Sequence, residues 1–482
     1  MPPSEDGKRP LPEALLRVLR TGRTPCVEDA ASVKDLLGDQ LEDPTVFEAY
    51  QSLFAPIRRL PPEVLSSIFL WATYLRGMKN RLVFTHVCHS WRLDALDTPR
   101  LWSYIFVDPT TAAIPSTDLV EAHLHRSNSH SLFISITAAG ESYEAYISSL
   151  LPLLSQYSNR WHAVMLNFPI PLLRHLAPQG SATLKRLKRF HVVDTILGDS
   201  SDVVQALSFL ADAPMLADFQ FVTVKRVAGM FKLPWAQMTR LHLIGLAISP
   251  SQCFDILRQC IPLVDFRISV LEDSPFHPSS LGHAVLPHLT TLGISFSAPF
   301  WELMGSITLP KLRCLYISHI GDTRVTWPEP HFSIFTHRSA VHLERITFSN
   351  ISVPSDEMIR AFRNMPALLH CEIPCPSDSI DPLLRSMTCS GQNNQQDYVC
   401  PKLESLTIGG VTFSCDALVA MVESRYPMGV ARELNTEGRV GGWPQRSDIR
   451  LRKLQIGARG SIADEIRRRL ARCCGWGLAI ST

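Results

Sequence analysis

The chain has 482 residues, 45% of them apolar and 19% charged, and a net charge of +2 from 47 basic and 45 acidic side chains. That length is too great for one compact core and suits two or three domains, or one small domain followed by an array. The near-neutral balance removes the electrostatic case for nucleic acid or a membrane surface as partner, since both call for a clustered basic excess.

No apolar run approaches the roughly 18 residues of a spanning helix. The start, Met1-Pro-Pro-Ser-Glu-Asp-Gly-Lys-Arg9, carries no apolar signal region. The expectation is a soluble protein of the cytoplasm and/or nucleus. The 12 cysteines are scattered rather than dense, so they read mostly as buried reduced thiols and not as a disulfide framework. The close pairs Cys371/Cys375, Cys473/Cys474 and Cys253/Cys260 lack a second CxxC or a spaced His pair, so no zinc site is expected.

Residues 1–56 read as N-terminal helices and linker, with 1–10 disordered. Leu11 to Leu19 has the spacing of a short helix closed by Gly22. Thr24-Pro25 opens a second, with proline at the first helical position and Glu28 and Asp29 at the positive helix end. Residues 38–56 lack sustained heptads. Then comes Ile57-Arg-Arg-Leu-Pro-Pro-Glu-Val-Leu-Ser-Ser-Ile-Phe-Leu70. Its double proline fits only a helix start, and Leu65, Ile68, Phe69 and Ala72 form one apolar face. Residues 77–80 break that helix. Val83, Val87, Trp91 and Ala95, spaced by four, predict a second, stopped by Asp97-Thr-Pro99, after which Leu101-Trp102 folds back.

These residues resemble the F-box, in a form common among fungal F-box-like proteins. Two separated halves match, "LPPEVLSSIF" and "VCHSWR", with the closing Leu-Trp. The resemblance implies an F-box at 57–102 that docks the Skp-type adaptor of a ubiquitin ligase and, through it, a cullin scaffold. It assigns the adaptor-facing role to Leu60, Pro61, Pro62, Glu63, Leu65, Ile68, Phe69, Val87, Cys88 and Trp91. For Ile68, Val87 and Trp91, packing within the small bundle is the alternative. Leu60 and Pro61, ahead of the helix, have the least reason to be internal.

Residues 103–159 read as a transition, with a strand at Leu132–Ile136 and a helix over 145–154. From 160 to 482 one pattern recurs, apolar-x-x-apolar-x-apolar, in eleven copies that start at Trp161, Leu187, Leu216, Met238, Leu263, Leu289, Leu312, Leu343, Leu368, Leu403 and Leu451. The last two apolar positions have the period of a strand. Helical patterns lie between them: Phe254, Leu257 and Ile261; Met358, Ile359, Phe362 and Met365; Leu418, Val419, Met421 and Val422. Pro214, Pro262, Pro287, Pro310, Pro366 and Pro401 precede six strands, where they are expected to end a helix and extend the chain. The polar stretch 389–397 and the glycine-rich stretch 435–442 fall in the two longest spacings as loops.

This array resembles degenerate leucine-rich repeats, common behind an F-box. It lacks their Asn or Cys after the third apolar position, so irregular turns are expected. The fold class is therefore α + α/β: a small helical F-box module followed by an irregular leucine-rich-repeat (α/β) solenoid. Target-binding residues are expected among the middle positions of the repeats, above all Arg240, His242, Arg267, Tyr316 and Arg345. No phosphate loop, nucleophile elbow or metalloprotease motif is present. The expectation is a non-catalytic subunit without cofactor, which recognises a target for a Skp-cullin-F-box ubiquitin ligase. The alternative is a repeat scaffold that binds the adaptor without directing degradation.

Overall fold

The structure is a computed structural model that describes residues 13–22, 25–38, 43–76, 81–108, 114–138, 141–176, 184–194, 203–272, 282–297, 300–321, 325–326, 331–339, 342–373, 379–389, 399–409, 413–426, 451–457, 461–475 and 477–481. The expectations for 1–10, 77–80 and 435–442, and most of that for 389–397, lie outside these residues. The chain divides into two compact units, one of residues 1–168 with 175–187 and one of 169–174 with 188–482. Among the described residues, no helix is long and apolar enough to cross a membrane.

The first unit begins with three helices, α1 (Glu13–Thr21), α2 (Val27–Leu37) and α3 (Pro44–Ser52), around Leu15, Val33, Leu37, Val46 and Leu53. Helix α3 was not anticipated from its irregular apolar spacing, but its start was legible. The Asp43 carboxylate accepts from the Thr45 N–H at 2.9 Å and Pro44 opens the first turn. Four helices follow: α4 (Pro62–Arg76), α5 (Arg81–Val87), α6 (His89–Leu96) and α7 (Pro99–Trp102). The expected single helix from Val83 to Ala95 is thus two, broken at Cys88, whose backbone is extended at φ −160° and ψ 173°.

Beyond them, β1 (Tyr104–Val107), β2 (Leu132–Thr137) and β3 (Trp161–Asn167) form a parallel ladder. Helices Thr117–Arg126 and Glu144–Ser155 supply the crossovers that parallel strands require. The buried Arg160 ties this part together. Its guanidinium donates to the carbonyls of His130 and Leu124, at 3.0 and 3.1 Å, and to the Ser127 hydroxyl.

The second unit is built on β4 (Arg189–Val193), β5 (Asp218–Val227), β6 (Arg240–Ile248), β7 (Asp265–Val270), β8 (Thr291–Phe296), β9 (Cys314–His319), β10 (Arg345–Ser349), β11 (His370–Ile373), β12 (Ser405–Ile408), β13 (Lys453–Ile456) and β14 (Ala479–Ser481). From β5 on, each is parallel to the one before it and hydrogen-bonded to it. The repeat copies from Leu187 to Leu451 coincide with β4–β13, whereas the Trp161 copy is β3 of the first unit. The register aligns equivalent positions: Phe190, Phe219, Leu241, Phe266, Leu292, Leu315, Ile346, Cys371, Leu406 and Leu454 form one buried row.

The prolines act differently from expectation. In five of the six cases proline is the second residue of a β-turn, where its fixed φ is pre-set, and Pro262 is the third residue of its turn, after Ile261. The carbonyl of the first turn residue accepts from the leading apolar N–H: Ala213 from Leu216, Cys260 from Leu263, Leu286 from Leu289, Leu309 from Leu312, Met365 from Leu368, and Cys400 from Leu403, at 3.1–3.4 Å. The helices pack largely as the spacing predicts. Phe254 and Leu257 are buried in Pro250–Gln259, Met358 and Phe362 in Ser355–Arg363, and Leu418, Val419, Met421 and Val422 in Cys415–Glu423. Two residues depart from that spacing: Ile359 is only partly buried, and Ile261 follows its helix and is 60% exposed.

A parallel sheet covered on both faces reads as continuous apolar runs. These strands alternate instead, as in Arg189-Phe190-His191-Val192-Val193, where only Phe190 and Val192 are buried. One face of the sheet therefore lies in the core and the other is open. Of the eleven described cysteines, Cys253, Cys260, Cys371, Cys400 and Cys473 are buried, fewer than expected, and none of the eleven is in a disulfide. Burial pushes the Cys260 and Cys400 thiols up to about 12, which keeps them protonated and unreactive.

Candidate functional site

Two surfaces carry the residues singled out by sequence, one in each unit. In the first, Pro61 and Pro62 set the start of α4. The Pro61 carbonyl accepts from the N–H groups of Val64 and Leu65 at 3.0 and 3.1 Å, and Pro62 occupies the first turn. The helix is apolar on more than one side. Leu65 and Phe69 are 3% and 0% exposed and face the module's core with Ala95, Leu101 and Trp102. Phe69 stacks on Phe84 at 4.5 Å between ring centroids and meets Trp91 at 5.1 Å. The Trp102 indole N–H donates to the Ala95 carbonyl at 2.8 Å, and the Thr98 hydroxyl joins the Ser66 hydroxyl at 2.8 Å.

Ile68 is 40% exposed, although the sequence face grouped it with Leu65 and Phe69. It belongs to a second stripe, Val64, Ile68 and Trp71, spaced i, i+4, i+7 and exposed throughout. The break at Cys88 has a matching effect in α5. Arg81 and Thr85 are buried there, while Val83 and Val87 are more than half exposed. Pro61, Pro62 and Glu63 are exposed as well.

Three assignments change with this geometry. Leu65 and Phe69 hold the module together and present no surface to a partner. Leu60, expected to be free of the bundle, is half-buried against the same cluster, as is Trp91. Cys88 is partly covered by this chain's own N-terminal segment: a Cβ added at Gly22 would lie 2.2 Å from the Cys88 Sγ. Sequence reading missed Val64, Trp71, Leu82 and Val83 as exposed apolar residues; the spacing of Val64, Ile68 and Trp71 was the available signal.

Beneath the module sits an unpredicted polar group. His123 lies 5.1 Å from the Trp102 ring, and its buried Nε2 has no hydrogen-bond partner among the described residues. Burial, then Arg81 and Arg126, push its pKa down to about 4, so the ring is neutral.

The second surface is the open face of β4–β13. Arg189, Asp218, Arg240, Asp265, Thr291, Cys314, Arg345 and His370 form one row, and His191, Gln220, His242, Arg267, Gly293, Tyr316, Thr347 and Glu372 the next. Two carboxylates organise the first half. Asp218 meets His191 Nε2 at 2.9 Å and Arg240 at 2.7 Å. Asp265 meets His242 at 3.2 Å and Arg267 at 3.5 Å. Burial pushes both carboxyls up, but their His and Arg partners outweigh it and hold them below the usual carboxylate range. All five predicted target-binding residues, Arg240, His242, Arg267, Tyr316 and Arg345, lie on this face. Arg240 and Arg267 are ion-paired to these carboxylates yet about half exposed.

Among the described residues, no group of three or more His, Cys, Asp or Glu side chains is placed to hold a metal ion. Residues 57–108 match the F-box-like family model. That match starts at the residue read from sequence and runs past 102 to take in β1. No curated protein matches the chain.

Proposed function

We propose that the protein is a non-catalytic target-recognition subunit of a Skp-cullin-F-box ubiquitin ligase, with its F-box-like module docking the Skp-type adaptor and its second unit holding the target. The observation that carries the reading is the F-box-like match at residues 57–108 on a module that leaves Val64, Ile68, Trp71, Val83 and Val87 exposed. F-box domains generally bind such adaptors, and so small a bundle with its own core filled gains by covering apolar side chains with a partner. The second unit reads as a leucine-rich-repeat-like array, supported by the aligned parallel strands and the repeated proline turns. The gain in such an assembly is proximity: tethering raises the effective concentration of the target at the transfer site.

Co-purification with a Skp-type adaptor tests the reading. Ile68→Asp with Val87→Asp is expected to cost at least about 2 kcal/mol of binding, roughly a thirtyfold loss. Undiminished binding by a folded double variant would remove the docking assignment. Adaptor-dependent ubiquitination of a partner held by the second unit separates a degradation receptor from an adaptor-bound scaffold.

A further inference from the structure

The open face carries a local feature beyond its mixed charge. At Gly293 the row of side chains is interrupted, and the stem of Arg267 lies across the gap: a Cβ at Gly293 would meet Arg267 Cγ at 3.1 Å. Beyond the gap, the Arg267 guanidinium sits over the Tyr316 ring at 5.3 Å from its centroid. Its Nε is 3.5 Å from Asp265. One carboxylate, one glycine and one aromatic ring thus hold the fork in place. It keeps donors for a second anion, since guanidinium has five.

Arg345 stands beside this arrangement. It pairs across the strands with Cys314, two residues from Tyr316 on β9, a diagonal within reach of long side chains. Burial and then Cys314 push the Tyr316 phenol up while Arg345 and Arg267 both pull the other way, so both cations act on one ring. Arg345 has no acidic partner within salt-bridge distance among the described residues. The one carboxylate of this cluster, Asp265, is already shared with His242 and Arg267.

We infer that Arg267, Tyr316 and Arg345, arranged around Gly293, form a subsite for an acidic protein segment, taking an Asp or Glu carboxylate between the two guanidiniums with Tyr316 as the apolar floor. The inference rests on the proposed target-binding role of the second unit and names its substrate class. Two guanidiniums share one carboxylate, Asp265, and that excess of positive charge makes the occupant acidic. A fixed planar fork favours a carboxylate bound through two parallel N–H···O bonds, and the absence of a side chain at Gly293 is what lets the Arg267 stem lie flat and present that fork.

The test uses the full chain with its adaptor and fluorescein-labelled oligo-glutamate, with oligo-glutamine and oligo-thymidylate as counter-probes. Oligo-glutamate is expected to bind with an affinity that falls steeply with salt, and oligo-glutamine not to bind. Arg267→Gln with Arg345→Gln is expected to weaken oligo-glutamate binding roughly tenfold or more. Gly293→Val, which displaces the Arg267 stem, should weaken it too, while Tyr316→Phe should retain it. Equal binding of the two peptides, equal binding by the double variant, or oligo-thymidylate binding as tight as oligo-glutamate would overturn the inference. Adaptor binding is read on the same samples. If it persists while oligo-glutamate fails, the subsite is wrong and the receptor reading stands. If oligo-glutamate binds as described while adaptor binding is absent, the subsite stands and the receptor reading falls.

Discussion

Ile68 and Phe69 are neighbours in sequence and opposite in role, because α4 turns one toward solvent and the other into the bundle. Phe69→Ala is expected to cost about 3–5 kcal/mol of stability through the cavity it leaves, seen as a lowered unfolding midpoint. Ile68→Asp with Val87→Asp should leave that midpoint nearly unchanged and act on adaptor binding alone. His123 gives the same unit an acid weakness. Its pKa is near 4 when folded against 6.5 ordinarily, so the unfolded chain binds the proton more readily. Stability is full above about pH 6.5 and falls as pH drops toward 4, by roughly 2–3 kcal/mol. Denaturant titrations at several pH values should show this loss, and His123→Gln should flatten it. Asp218 behaves in the usual carboxylate manner. Its depressed pKa contributes stability above the ordinary 3.8 that is lost as pH falls through the folded value. Asp218→Asn, at a site whose side chain is 5% exposed, should cost about 1–3 kcal/mol at neutral pH, measured by urea unfolding.

At the scale of elements, the informative case is the break at Cys88. The four-residue spacing of Val83, Val87, Trp91 and Ala95 is a correct helical signal, yet only Ala95 is buried and Trp91 half-buried. An extended residue between α5 and α6 re-aims the two halves, so one periodicity serves two axes. Spacing reports which residues share a side of a helix, not where the helix stops when no proline or glycine marks it. Gly22 shows the converse. It reads from sequence as a simple helix end, and its φ of +76° agrees. Its second duty, leaving room for Cys88, depends on a contact far along the chain. Gly22→Val is expected to combine a left-handed backbone penalty of about 1 kcal/mol with a clash against Cys88. The result should be faster limited proteolysis within residues 13–54 at unchanged stability of the second unit.

At the scale of the molecule, the second unit is a sequence of nearest neighbours, each strand bonded to the one before and the one after. A core substitution such as Phe266→Ala should cost about 3–5 kcal/mol. Its effect on hydrogen exchange should be strongest in β6, β7 and β8, with β1–β3 of the first unit unaffected. The sequence by itself determined the F-box-like stretch, the positions of the repeated strands and which strand residues enter the core. Those are local properties: period, proline placement and apolar spacing are written into short runs of residues. Only the tertiary structure decided that Leu65 and Phe69 are core and Ile68 and Val87 surface, that Leu60 packs inward, and that Arg267 crosses Gly293 to reach Tyr316. Each of these depends on how side chains tens of residues apart divide one shared surface. That division is set by packing between elements, and no period within a single element encodes it.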